Sequence, residues 1–98
     1  MNVFYRAAEL ITQRGWSKDD RELFDTTKAN GRVCLLIAVD TANWEDYGNV
    51  DPNAEEWGRE YLKKTTSMAG YVHVTKGLNS EEEAIKLLKM MGREYDAR

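Results

Sequence analysis

The chain has one cysteine, one histidine and one proline in 98 residues, and no apolar run longer than the seven residues from Val33 to Val39. Each scarcity excludes something. A lone Cys34 cannot close an internal disulfide, and one Cys with one His cannot build a tetrahedral zinc site unless carboxylates supply the rest. Seven apolar residues fall far short of the roughly 18 that a membrane-spanning helix needs. The opening Met1-Asn2-Val3-Phe4-Tyr5-Arg6 lacks the cationic start and apolar stretch of a secretory leader, so a cytoplasmic protein is expected. The seven glycines are isolated and form neither a phosphate-cradling loop nor a dinucleotide fingerprint. The acidic stretch Asp46 to Glu56 lacks the alternating ligands and closing Glu of a calcium-binding hand. No metal and no cofactor is expected.

What is present suits a single folded domain over residues 1–98: 42% of the residues are hydrophobic and ten per cent aromatic, which argues against disorder. The net charge of −3 is unevenly spread. Residues 40–60 hold seven acidic side chains and one basic, whereas residues 61–98 hold seven basic and five acidic. An acidic chain without a dense Lys/Arg stripe lacks the electrostatic footprint of phosphate-backbone binding.

Helical periodicity dominates. Val3, Phe4, Ala7, Ala8, Leu10 and Ile11 recur at three- and four-residue spacing, with Asn2 placed to cap and Gly15 to end the helix. The run from Arg32 to Asp40 suits a buried strand or a central helix. Continuation through Trp44 gives about twelve residues and favours the helix, with Val33, Leu36, Ile37, Asp40 and Trp44 on one face. Asp51-Pro52 followed by Glu55 and Glu56 is a helix start, and Trp57, Tyr61, Leu62, Thr65 and Met68 continue it toward Gly70. Tyr71 to Thr75 is rich in β-branched and aromatic residues and reads as a short extended segment. Ser80 with Glu83 forms a capping box. The helix that follows has Ala84, Ile85, Leu87, Leu88 and Met91 on its apolar face, Lys86, Lys89 and Arg93 outside it, and a fraying tail after Glu94. The fold class is therefore mainly α, a small bundle of about four helices with one extended piece near 71–75.

Three stretches carry a family resemblance: Ala-Glu-Leu-Ile-Thr-Gln-Arg-Gly-Trp (8–16), Gly-Arg-Val-Cys-Leu (31–35) and Glu-Glu-Ala-Ile-Lys-Leu-Leu-Lys (82–89). They resemble a family of small uncharacterised proteins of actinobacteria and their bacteriophages, a domain of unknown function. The resemblance implies a buried helix after Gly31-Arg32 and an extended piece before the last helix. It also implies a phage or mobile-element origin, and no known activity.

For chemistry, Cys34, His73 and Asp40 are the residue types of a thiol mechanism. Only one Cys and one His exist to be paired, however, and Cys34 lies in an apolar run where a thiol is an inert core residue. A non-enzymatic role is expected. The basic residues Arg59, Lys63, Lys64, Lys86, Lys89 and Arg93 offer an alternative, a nucleic-acid-associated regulator, but glutamates on the same helices make nucleic acid the weaker choice of partner. The favoured reading is a protein-binding module, with no membrane partner. Trp44, Tyr47 and Trp57 bracket the acidic segment, and aromatics ringed by charge have the composition of an interface. The candidate binding residues are Asp40, Trp44, Glu45, Asp46, Tyr47, Asp51, Glu55 and Trp57, facing a basic patch on another protein, with at least one of the two tryptophans a core anchor. A homodimer through Met68, Met90 and Met91 is a further option.

Overall fold

The computed structural model describes residues 2–17, 33–45, 51–66 and 70–98, the side chains of Glu45, Pro52, Val72 and His73 excepted. Among these residues are five helices: α1 (Val3–Arg14), α2 (Leu35–Glu45), α3 (Pro52–Thr66), α4 (Tyr71–Gly77) and α5 (Glu81–Ala97). This is a small helical bundle in which α1 packs chiefly on α5 and α2, while α4 joins α2 to α3.

Helix α1 begins as its sequence dictates. Asn2 Oδ1 accepts from the N–H groups of Phe4 (3.0 Å) and Tyr5 (3.3 Å), and its Nδ2 donates to the Gly92 carbonyl (2.7 Å) and to Asp96 (2.9 Å). One side chain thus caps α1 and fastens it to α5. Gly15 ends the helix at φ 88°, a conformation that β-carbons disfavour. Beyond it, Trp16 pairs with Val33 in an isolated parallel bridge that brings the head of α2 beside the end of α1. The sequence also offers a short turn that Ser17 could cap and Leu23 and Phe24 could anchor, and residues 18–32 lie outside the described residues.

The ambiguous run is a helix. Val33, Leu35, Ala38, Val39 and Ala42 are buried; Leu36, Ile37 and Asp40 are half-buried, and Trp44 is exposed. In an uninterrupted apolar stretch the period cannot choose the inner side. Small residues mark it: Ala38 and Ala42, four apart, are buried on α2, as Ala7 and Ala8 are on α1, the helix on which α2 chiefly packs, and small side chains let two backbones approach. Cys34 is buried at the head of α2, where its Sγ accepts from the Ile37 N–H at 3.5 Å.

Residues 71–77 form a helix, which corrects the expected extended segment. Tyr71, Val74 and Thr75 are buried at 2%, 3% and 1% exposure, an i, i+3, i+4 pattern that only a helix brings to one side. β-Propensity is here overridden by burial. Helix α3 is described through Thr66, and residues 67–69, which lead to the expected terminus at Gly70, lie outside the described residues. The capping box of α5 forms, with Ser80 Oγ accepting from the Glu83 N–H (3.2 Å) and Glu83 accepting from the Asn79 N–H (2.7 Å). The expected fraying after Glu94 does not occur, because Tyr95 is buried and Arg98 lies 3.6 Å above its ring. Of the three methionines read as a dimer patch, Met91 is fully buried, Met90 is exposed and Met68 is outside the described residues.

Candidate functional site

Helices α2, α3 and α4 converge on a polar cluster. Asp40, half-buried in α2, brings its carboxyl against that of Glu55 on the first turn of α3. Arg59, one turn on, reaches Glu55 at 3.4 Å and places its guanidinium 5.8 Å from the centre of the Tyr71 ring. Tyr71 rises from the start of α4 and donates its hydroxyl to the Glu55 carbonyl at 2.9 Å. The hydrogen bond with Asp40 raises the Glu55 carboxyl above its ordinary value, partial burial and the charge of Asp40 add to this, and Arg59 opposes it. Burial, and then the charge of Glu55, raise the Tyr71 phenol. Glu55 is therefore held between a carboxyl, Asp40, that opposes its charge and a single guanidinium, Arg59, that favours it.

This arrangement fixes the sign of a pH effect. A carboxyl raised on folding contributes stability below its unfolded value, and that contribution is lost as pH rises through the raised folded value. Asp40→Asn replaces one charge by an amide that donates to Glu55. It should stabilise the protein at pH 7 by about 0.5–1 kcal/mol, the order of one partly exposed like-charge contact. Thermal melts from pH 4 to 8 should show the wild-type midpoint falling through the carboxylate range and the variant's staying flat. Parallel curves would remove the shared charge from the account.

The other expected site residues divide into two groups. Trp44 stands one turn beyond Asp40 on α2, 63% exposed, and Glu45 is the last described residue of that helix. Asp51 and Trp57 are instead tied into the scaffold. Asp51 caps α3 through the Asn53 N–H (3.0 Å) and accepts the Tyr95 hydroxyl from α5. Its backbone is clamped by the buried Asn43, which donates to the Asp51 carbonyl (2.9 Å) and accepts the Asp51 N–H (2.8 Å). Trp57 stacks on Tyr61 at 5.1 Å between centroids, meets the edge of Tyr95 at 5.0 Å and contacts Phe4 at 5.5 Å. Trp57 is thus the core anchor of the pair and Trp44 the surface residue. Asp46 and Tyr47 lie outside the described residues.

Asp40, Trp44 and Glu55 are what the fold leaves together at a surface. Sequence reasoning missed Asn43, Arg59, Tyr71 and Tyr95, the residues that organise this region. Only Arg59 carried a signal, its four-residue spacing from Glu55. Among the described residues no group of three or more His, Cys, Asp or Glu could hold a metal ion, and no helix is long and apolar enough to cross a membrane. The His73 side chain of the thiol hypothesis lies outside the described residues. No protein-family model matches the chain, and no curated protein or solved structure matches it either.

Proposed function

We propose that the chain is a small non-enzymatic protein-binding module, phage-encoded as its family resemblance implies, that offers Asp40, Trp44 and Glu55 to a basic patch on a partner protein. The observation that carries this reading is Trp44. It is 63% exposed on a helix whose opposite side is buried. Covering an indole removes a large apolar area from water, at about 25 cal/mol per Å², and Trp is among the residues that dominate interface energies. The carboxyl pair one turn away supplies the polar half. A guanidinium from a partner stacks on an indole and bonds a carboxylate with two parallel N–H groups. It would also give the second carboxylate of the Asp40–Glu55 pair the cation it lacks.

The test is capture from an actinobacterial host lysate with tagged wild-type protein and a Trp44→Ala variant, followed by calorimetry on the captured protein. One stoichiometric partner should be retained by the wild type. Its affinity for the variant should fall about 30-fold, the roughly 2 kcal/mol of an interface hot spot. Equal binding by both proteins would remove Trp44 from the interface and the proposal with it.

A further inference from the structure

The outer side of α5 carries a groove of about 550 Å³ lined by Glu82, Ile85, Lys86, Lys89, Met90 and Arg93. Its floor is apolar: Ile85 is half-buried and Met90 is 42% exposed. Its walls are basic. Among the described residues none of Lys86, Lys89 and Arg93 is in an ion pair, and Glu82, four residues before Lys86, does not neutralise it. A helix face with three unneutralised cations around a thioether is complementary, in charge and in polarity, to an acidic face built around an indole. The same chain holds such a face: the exposed Trp44 stands one turn from Asp40, whose carboxyl lies against that of Glu55, in a segment, residues 40–60, with seven acidic residues against one basic. Neither of these carboxyls is taken up by the groove of its own molecule, as Glu55 pairs with Arg59 and Asp40 lies against Glu55.

We propose that the α5 groove is the docking site for a second copy of this chain, which seats Trp44 against Ile85 and Met90 while its acidic residues meet Lys86, Lys89 and Arg93. The inference rests on the reading of the Trp44 face as a binding surface and names a partner for it. Methionine suits the role, because a flexible thioether adapts to an aromatic edge. A phosphate backbone suits it less well, since Glu82 stands inside the groove and the floor between the cations is apolar.

Sedimentation velocity at 5–200 μM tests it. The wild type should self-associate at 50 mM salt and dissociate at 500 mM, where exposed charges are screened. A base-reversed variant (K86E/K89E/R93E) and an acid-reversed variant (D40K/W44K), each with a wild-type circular dichroism spectrum, should both be monomeric. Each keeps the face the other has lost, so an equimolar mixture should form a 1:1 complex. Association at least 30-fold weaker in each variant alone, with recovery on mixing, is the expected result. A wild type monomeric at 200 μM, variants that associate like it, or a mixture that stays monomeric would each overturn the assignment; a wild type that instead binds DNA in a salt-dependent manner would give the groove to phosphate. A monomeric mixture together with Trp44-dependent capture from lysate would leave the binding-module reading standing without this partner. A complex in the mixture with no Trp44-dependent capture would make the second copy the sole occupant.

Discussion

Asp51→Ala should cost about 3 kcal/mol of folding stability, although a reading of the sequence places Asp51 on a charged surface. Its two carboxylate oxygens do separate work. Oδ1 accepts the Asn53 N–H and caps α3, a contribution of about 1 kcal/mol. Oδ2 accepts the hydroxyl of Tyr95 in a part-buried contact, so the alanine variant removes a hydrogen bond to a charged group, about 1.5–3 kcal/mol. In a chain of this size the sum lowers the melting midpoint by roughly 12–20 °C. Asp51→Asn keeps one accepting oxygen, which can still cap α3 through the Asn53 N–H, and turns the other into an amide N–H that donates to the Tyr95 oxygen, so it should restore the capping share of the loss, about 1 kcal/mol, which a mere removal of surface charge would not allow. Urea titrations of the two variants distinguish these outcomes.

The same contact sets an alkaline limit. Burial, reinforced by the bond to Asp51, pushes the Tyr95 phenol from its ordinary value of 10 up to about 12. The stability this group contributes is complete below pH 10 and is lost as pH rises toward 12. Asp51 is therefore a poor position at which to probe binding, because reversing its charge disturbs α3 and α5 before it alters any interface. Trp44 and Asp40 are better probes, since neither caps a helix or closes the aromatic cluster of Phe4, Trp57 and Tyr95.

How far the sequence led depended on whether the deciding information was local. The cap at Asn2, the turn at Gly15, the Asp51-Pro52 start and the Ser80 capping box are contacts spanning a few residues, and each is read directly from spacing. The buried face of α2 was not legible, because every position from Val33 to Val39 is apolar and only the packing of α2 on the distant α1 distinguishes them. The helix at Tyr71–Gly77 was hidden by strong β-formers, although its i, i+3, i+4 burial was already spelled by Tyr71, Val74 and Thr75. The candidate site was half legible. Asp40, Trp44 and Glu55 were chosen for charge and aromatic character alone, yet the contact between Asp40 and Glu55, fifteen residues apart, depends on how α2 and α3 meet. Asp51 and Trp57 were chosen on the same grounds and proved to be scaffold, since composition does not distinguish an exposed acid from one that accepts a distant phenol.

Gly58→Ala is the sharper test of the packing beneath that site, because local and tertiary rules predict opposite signs. In an isolated helix alanine is favoured over glycine by about 1 kcal/mol. In α3 the new β-carbon would lie 3.0 Å from both Met91 Cε and Phe4 Cε1, and well inside contact distance of the Tyr71 hydroxyl oxygen. That hydroxyl is not free to retreat, as Tyr71 is buried and donates to the Glu55 carbonyl one turn earlier on the same helix. Overpacking of about 1–3 kcal/mol and a stranded phenol of about 1–3 kcal/mol therefore outweigh the propensity gain. The expected net loss is about 2–4 kcal/mol. Removing the offending oxygen should relieve it: Tyr71→Phe destabilises the wild type by about 1 kcal/mol but should stabilise the Gly58→Ala protein. A double-mutant cycle in urea then gives a coupling energy of opposite sign to either single loss. Strict additivity would mean that Tyr71 does not lie over Gly58, and the route by which α4 positions Glu55 against Asp40 would have to be redrawn.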